Sequence, residues 1–179
     1  MKARVVQKTC PRPAALVLVF FVAGCGRHAA TIDGGGTPVQ DSGTGGFSLR
    51  LTGVDKGNFV SARMRIQSVQ VTSGGAVLAN APHTPEVDLA EMGQAYLLAS
   101  FQPPAGVEEV EFAVSFESGT VATETASFSI DSRCQTLHLA GKVSKIAERK
   151  HAVIQLDVAR SFVPSGAGLM LVPHFQLVY

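Results

Sequence analysis

EVEFAVSF, residues 109–116, alternates apolar and polar side chains without a break. Val110, Phe112, Val114 and Phe116 fall on one side of an extended chain. Glu109, Glu111, Ala113 and Ser115 fall on the other, the mark of a half-buried strand. Pro103-Pro104-Ala105-Gly106 just upstream reads as a turn. Further back, VDLAEMGQAYLLASF (87–101) loses the alternation. Leu89, Met92, Tyr96 and Leu97 in it suit a short helix covering one sheet edge, although Gly93 weakens that helix. Ser73-Gly74-Gly75 predicts a turn into a return strand at GGAVLAN (74–80). RMRIQSVQV (63–71) starts with Met64 and Ile66 inward and Arg63 and Arg65 outward, then jumps to Val69 and Val71. A bulge near Ser68 accounts for that slip of phase. In the first strand, Phe47, Leu49 and Leu51 alternate with Ser48, Arg50 and Thr52.

Toward the C-terminus, strands are expected at Ala126–Ile130, Thr136–Ala140, Ala152–Ala159 and Leu169–Val178. Ala152, Ile154, Leu156 and Val158 point inward, which leaves Asp157 outward or at a sheet end. Seven to nine short strands with turn signals between them and one short helix predict an all-β protein, an antiparallel β-sandwich over residues 47–179. A single domain of this length buries ample core. No internal repeat interrupts it.

Two different segments precede the sandwich. GRHAATIDGGGTPVQDSGTGG (26–46) holds seven glycines and almost nothing large, too little apolar area to offset chain entropy. With Cys25 it reads as a flexible tether over residues 25–46. No strand leads into its DGGG and no Lys-Ser/Thr follows, so a phosphate cradle is excluded. His28 and Asp33 carry no assigned chemistry. Residues 1–24 have the build of an export signal: Lys2, Arg4, Lys8 and Arg12, then AALVLVFFVA (14–23) with no polar side chain. At about 1.5 Å per residue this run spans roughly 15 Å, half of a hydrocarbon core of about 30 Å.

Val22-Ala23-Gly24-Cys25 at the end of that run resembles the lipobox of bacterial lipoproteins. The resemblance implies diacylglycerol on the Cys25 thiol, cleavage between Gly24 and Cys25, and acylation of the new amine with a chain such as palmitate. Cysteine suits the task because its sulfur is the better nucleophile. Each buried methylene contributes about 0.8 kcal/mol, so several acyl chains make release from the membrane negligible. Gly26 follows where an Asp resembles an inner-membrane retention signal in Gram-negative lipoproteins. The resemblance therefore implies the outer membrane, with the chain lipid-anchored on its periplasmic face or at the cell surface.

A second resemblance covers most of residues 46–179. FSLRLTG, ARMRIQSVQV, EVDLAEM, PPAGVEEVEF and IQLDVARSFVPSGAGLMLVPHFQLVY resemble, in this order, a bacterial lipoprotein domain of unknown function. Its sandwich is of the carbohydrate-binding-like or prealbumin-like kind. The pattern falls on Asp157, Arg160-Ser161, Gly166, Gly168 and Pro173. The chain departs from it after the first strand, where Gly53-Val54-Asp55 follows Leu51-Thr52 in place of an immediate Asp-Pro. The resemblance implies the fold and brings no activity.

Charge and cysteine content narrow the function classes. Four of the fifteen Lys and Arg lie in the signal; the mature chain keeps eleven against fourteen Asp and Glu, about −3. No basic run remains, so a nucleic acid partner is not expected. Cys10 leaves with the signal and Cys25 is the lipidation site, so Cys134 has no partner for an intrachain disulfide. It reads as a half-buried free thiol beside the strand that carries His138. His83, His138, His151 and His174 lack zinc-ligand spacing. Ser165 lacks the flanks of a nucleophile elbow. Glu108, Glu109 and Glu111 read as solvated charge, with no second carboxylate placed for a glycosidase pair. Asp55, Asn58 and Asp157 form a conceivable calcium set. With no Trp and only Tyr96 and Tyr179, aromatic platforms for sugars are scarce. No metal, cofactor or catalytic residue is expected, and no enzyme activity. The expected function is that of a lipid-anchored, non-catalytic envelope lipoprotein in structural or protein–protein roles, joined to the membrane through Cys25. The alternative is a surface module binding glycan or calcium, and Glu117, His138 and Asp157 are the groups around which an enzyme cleft would have to form.

Overall fold

The computed structural model describes residues 46–131, 136–166 and 168–179. The readings on the signal, Gly24, Cys25, the tether and Cys134 lie outside these residues. Among the described residues twelve strands form: β1 (Phe47–Val54), β2 (Ser61–Ser73), β3 (Ala76–Ala79), β4 (Glu86–Asp88), β5 (Tyr96–Phe101), β6 (Glu109–Ala122), β7 (Ser127–Asp131), β8 (Thr136–Lys142), β9 (His151–Asp157), β10 (Phe162–Ser165), β11 (Gly168–Leu171) and β12 (Phe175–Val178). Two short helices, α1 (Val143–Arg149) and α2 (Val158–Ser161), flank β9.

The strands build an all-β sandwich of two sheets. One has the order β12-β9-β1-β5; the other runs β10-β11-β7-β6-β2-β3, with β4 also on β2 and β8 also on β6. The stretch that opened the sequence analysis is the hub. Along one edge β6 pairs β2; along the other, its first half pairs β8 and its second half β7. Val110, Phe112, Val114 and Phe116 are all buried in the core, as the alternation requires. Between the sheets the Phe101 ring on β5 meets Phe112 on β6 edge-on at 5.6 Å, and Phe47 meets Phe101 at 6.1 Å. Such pairs add about 0.5–1.5 kcal/mol to the area they bury. The phase slip in β2 is a real irregularity: the register with β6 breaks on both sides of Ile66, and Gln67 and Ser68 are both exposed.

Four expectations are corrected. The pairing is antiparallel except at β1·β9 and β7·β11, which are parallel. Parallel neighbours need a crossover connection, and the chain supplies one by passing through the second sheet before returning as β9. The helix expected over 87–101 is absent. Gly93 there has φ +85, and the segment instead forms β4, a turn and β5, with Leu98, Ala99 and Phe101 buried. Strand pairing to β2 and β1 outweighs a weak helical preference. Helix instead appears at α1, whose only buried residue is Ile146; a two-turn helix leaves too little periodicity to read. Leu169–Val178 is not one strand either. It breaks at Val172–His174, with β11 in one sheet and β12 in the other. β10 was not foreseen, and Val158, though inward as expected, belongs to α2.

Asp157 and Ser161 hold that crossing together. The Asp157 carboxylate caps α2 by accepting the Arg160 N–H at 3.0 Å, worth about 1 kcal/mol at such a cap. The fully buried Ser161 hydroxyl accepts the His174 N–H at 2.9 Å, and the Asp157 N–H donates to the His174 carbonyl at 2.8 Å. Asp157 and Ser161 thus tie α2 to the segment that leads into β12.

Candidate functional site

An open groove of about 1070 Å³ lies between an edge strand of one sheet and an edge strand of the other. β8 is one lip. Phe175, Gln176 and Leu177 of β12, with Tyr179 just beyond it, form the other. The apolar floor includes Leu139 and Phe112; Glu109, Glu111 and His138 line the outer wall, with Lys142 and Lys145 at one end. The alternation of β8 produces this division: Leu137 and Gly141 turn inward and are buried, while His138, Ala140 and Lys142 are exposed. Leu139 also faces inward yet stays only half-buried, because it fronts the open groove. Tyr179 closes one end by accepting the Lys142 N–H at 3.2 Å.

The groove gathers some of the candidate residues and scatters the rest. Glu109, Glu111, His138 and Tyr179 line it. Thr72 Oγ1 contacts Glu111 Oε2 at 3.4 Å. Glu108 contributes its backbone, accepting the Val143 N–H at 2.9 Å. Glu117 lies further along β6, with Arg65 Nε at 3.6 Å from its carboxylate. His83, His151, His174 and Ser165 sit on separate elements: His83 donates its N–H to Leu98, His151 opens β9, His174 joins the 157–174 crossing, and Ser165 turns β10 into β11. Asp55 and Asp157 come near one another through the backbone, since the Ala159 N–H donates to the Asp55 carbonyl at 2.8 Å. The Asp157 carboxylate there is occupied by its cap. Among the described residues no three His, Cys, Asp or Glu side chains gather as metal ligands, and no helix is long and apolar enough to cross a membrane.

A polar knot that the sequence reading missed centres on Asp88. Its Oδ1 accepts the N–H groups of Ala62 (2.8 Å) and Ala90 (3.0 Å), and its Oδ2 accepts the Ser61 hydroxyl (2.7 Å) with Arg63 Nε at 3.7 Å. The Tyr96 hydroxyl lies 3.0 Å from the Asp88 carbonyl and 2.9 Å from Glu91 Oε2, and accepts the Asp88 N–H at 3.2 Å. Partial burial raises the Asp88 pKa, but the donated hydrogen bonds and Arg63 outweigh it, so the carboxyl titrates below its ordinary value. Burial, with Glu91 and Asp88 nearby, pushes the Tyr96 phenol up. The sequence reading places Asp88 inside the helix expected over 87–101, where the structure instead forms β4.

A depressed folded-state pKa means that ionised Asp88 stabilises the fold above its unfolded pKa of about 3.9 and loses that contribution as pH falls through the lower folded value. Asp88→Asn is expected to cost about 1.5–3 kcal/mol at pH 7, the scale of hydrogen bonds to a charged group. The gap to wild type should close below about pH 3.9. Urea denaturation at pH 7 and in acid measures it; a gap independent of pH would contradict the knot's role.

Comparison with models of known protein families, with curated proteins and with solved structures found no match to this chain.

Proposed function

We propose that this chain is a bacterial lipoprotein, anchored through lipid on Cys25 to the outer membrane, whose sandwich acts without catalysis in envelope structure or protein–protein contact. The observation that carries this reading is Val22-Ala23-Gly24-Cys25 closing a leader that is basic first and apolar after. A glycine-rich stretch then precedes Phe47, where the buried core begins. The domain's groove supports the contact role. It is open, apolar along its floor and lined by charges of both signs, a surface suited to another polypeptide better than to a small buried substrate.

Growth with radiolabelled palmitate, followed by membrane fractionation of wild type and Cys25→Ser, tests the anchor. Wild type is expected to carry label and to sediment with membranes; the variant is expected to lose both. A Cys25→Ser protein that is still labelled and still in the membrane refutes the reading.

A further inference from the structure

Sheet edges invite pairing with other chains unless something blunts them. Most edges of this sandwich are blunted. β10 carries Pro164. β5 is backed by the His83 N–H and the Thr84 hydroxyl, bonded to the Leu98 and Leu97 carbonyls at 2.9 and 2.8 Å. β3, β4 and β12 span four, three and four residues. β8 differs: it runs for seven residues and, among the described residues, pairs with β6 alone.

Two bonds define which of its backbone groups are free. The Val143 N–H reaches back to Glu108 on the β6 side, whereas the Lys142 N–H points to Tyr179 on the groove side. In an antiparallel ladder the two directions alternate. Leu137, Leu139 and Gly141 therefore face β6 with their main-chain groups, and His138 and Ala140 face the groove.

We propose that β8 is a dimerisation edge, at which two copies of this chain pair antiparallel about a two-fold axis through Leu139. The interface between equal copies must be self-complementary, and β8 is. This register sets His138 of one copy opposite Ala140 of the other at both ends of the axis, and each such pair exchanges two main-chain hydrogen bonds. Leu139 faces its own counterpart at the close, non-hydrogen-bonded position, covering the half-buried side chain that now lines the groove. Leu137 meets Gly141, large against small. On the outer face the small Ala140 leaves His138 of the other copy reaching toward Glu111, which neighbours Ala140 on β6. The two Lys142 side chains lie at opposite ends, each beside a Thr136, so no like charges abut. The inference stands apart from lipid anchoring.

Disulfide trapping in membranes tests the full-length protein in a Cys134→Ser background. Leu139→Cys is expected to give a dimer band on oxidation, and Val77→Cys, exposed on distant β3, none. In parallel, purified protein carrying Cys25→Ser is expected to sediment as a dimer. Ala140→Lys, a charge at an exposed position, should weaken that dimer at least about tenfold, while its thermal midpoint at a concentration low enough to keep both proteins monomeric should match that of the parent. Ala140→Pro removes a groove-facing N–H, sparing the ladder to β6, and should weaken the dimer as well. A chain that stays monomeric to about 100 µM with no Leu139→Cys band overturns the proposal. So does a dimer indifferent to both Ala140 changes. A trapped product of another mass also overturns it and gives the edge to an extended segment of a different protein.

Discussion

Phe112→Ala is expected to lower the free energy of unfolding by about 3–5 kcal/mol, the range for removing a large aromatic from a close-packed core. The ring is 1% exposed and lies where the two sheets face each other, its edge contact to Phe101 linking β6 to β5. It also fills the space left by Gly141: a Cβ there would stand 2.8 Å from Phe112 Cε2. Alanine would leave a cavity walled by both sheets, neither of which can collapse without losing its own ladder. Urea denaturation should show a lower midpoint with unchanged slope. Phe59→Ala, which removes a half-buried ring contacting Phe162 at 5.8 Å, is expected to cost clearly less. Equal losses would mean that Phe112 does not bridge the sheets.

Gly53→Ala is the second large effect, about 3 kcal/mol, at the upper end of the usual overpacking range. Gly53 lies within β1, and an added Cβ would run into the Leu89 carbonyl, with Val158 Cγ2 at 3.0 Å on the other side. A backbone carbonyl cannot swing aside as a flexible side chain does, so β1 or the Leu89 turn must shift. Gly93→Ala separates this steric cause from a conformational one. Gly93 has φ +85 and nothing within 4 Å of the new Cβ, so only backbone strain of about 1 kcal/mol is expected. Comparable losses at the two positions would refute close approach as the reason for Gly53.

Particular residues show how far the sequence could be read. The alternation at 109–116 and 152–158 named core side chains correctly, and the jump from Ile66 to Val69 located the bulge. These signals are local, since each strand buries one face regardless of its partner. Asp88 and Tyr96 were illegible because their meaning lies in β2, where Ala62 and Ser61 supply the donors from more than twenty residues away. The groove was equally hidden. Glu109 and Glu111 read as solvated, as they are, but nothing near them in the chain announces Phe175 or Tyr179.

By itself the sequence determined that this is a β-rich chain and which side chains of its alternating strands go inward. Those properties follow from side-chain chemistry taken a few residues at a time. Only the tertiary structure decided that β9 pairs β1 in parallel, that Val172–His174 carries the chain from one sheet to the other, and that β8, among the described residues, pairs with β6 alone. Strand order and unpaired edges depend on which distant segments compete for the same backbone hydrogen bonds, and no short stretch of sequence records the outcome of that competition.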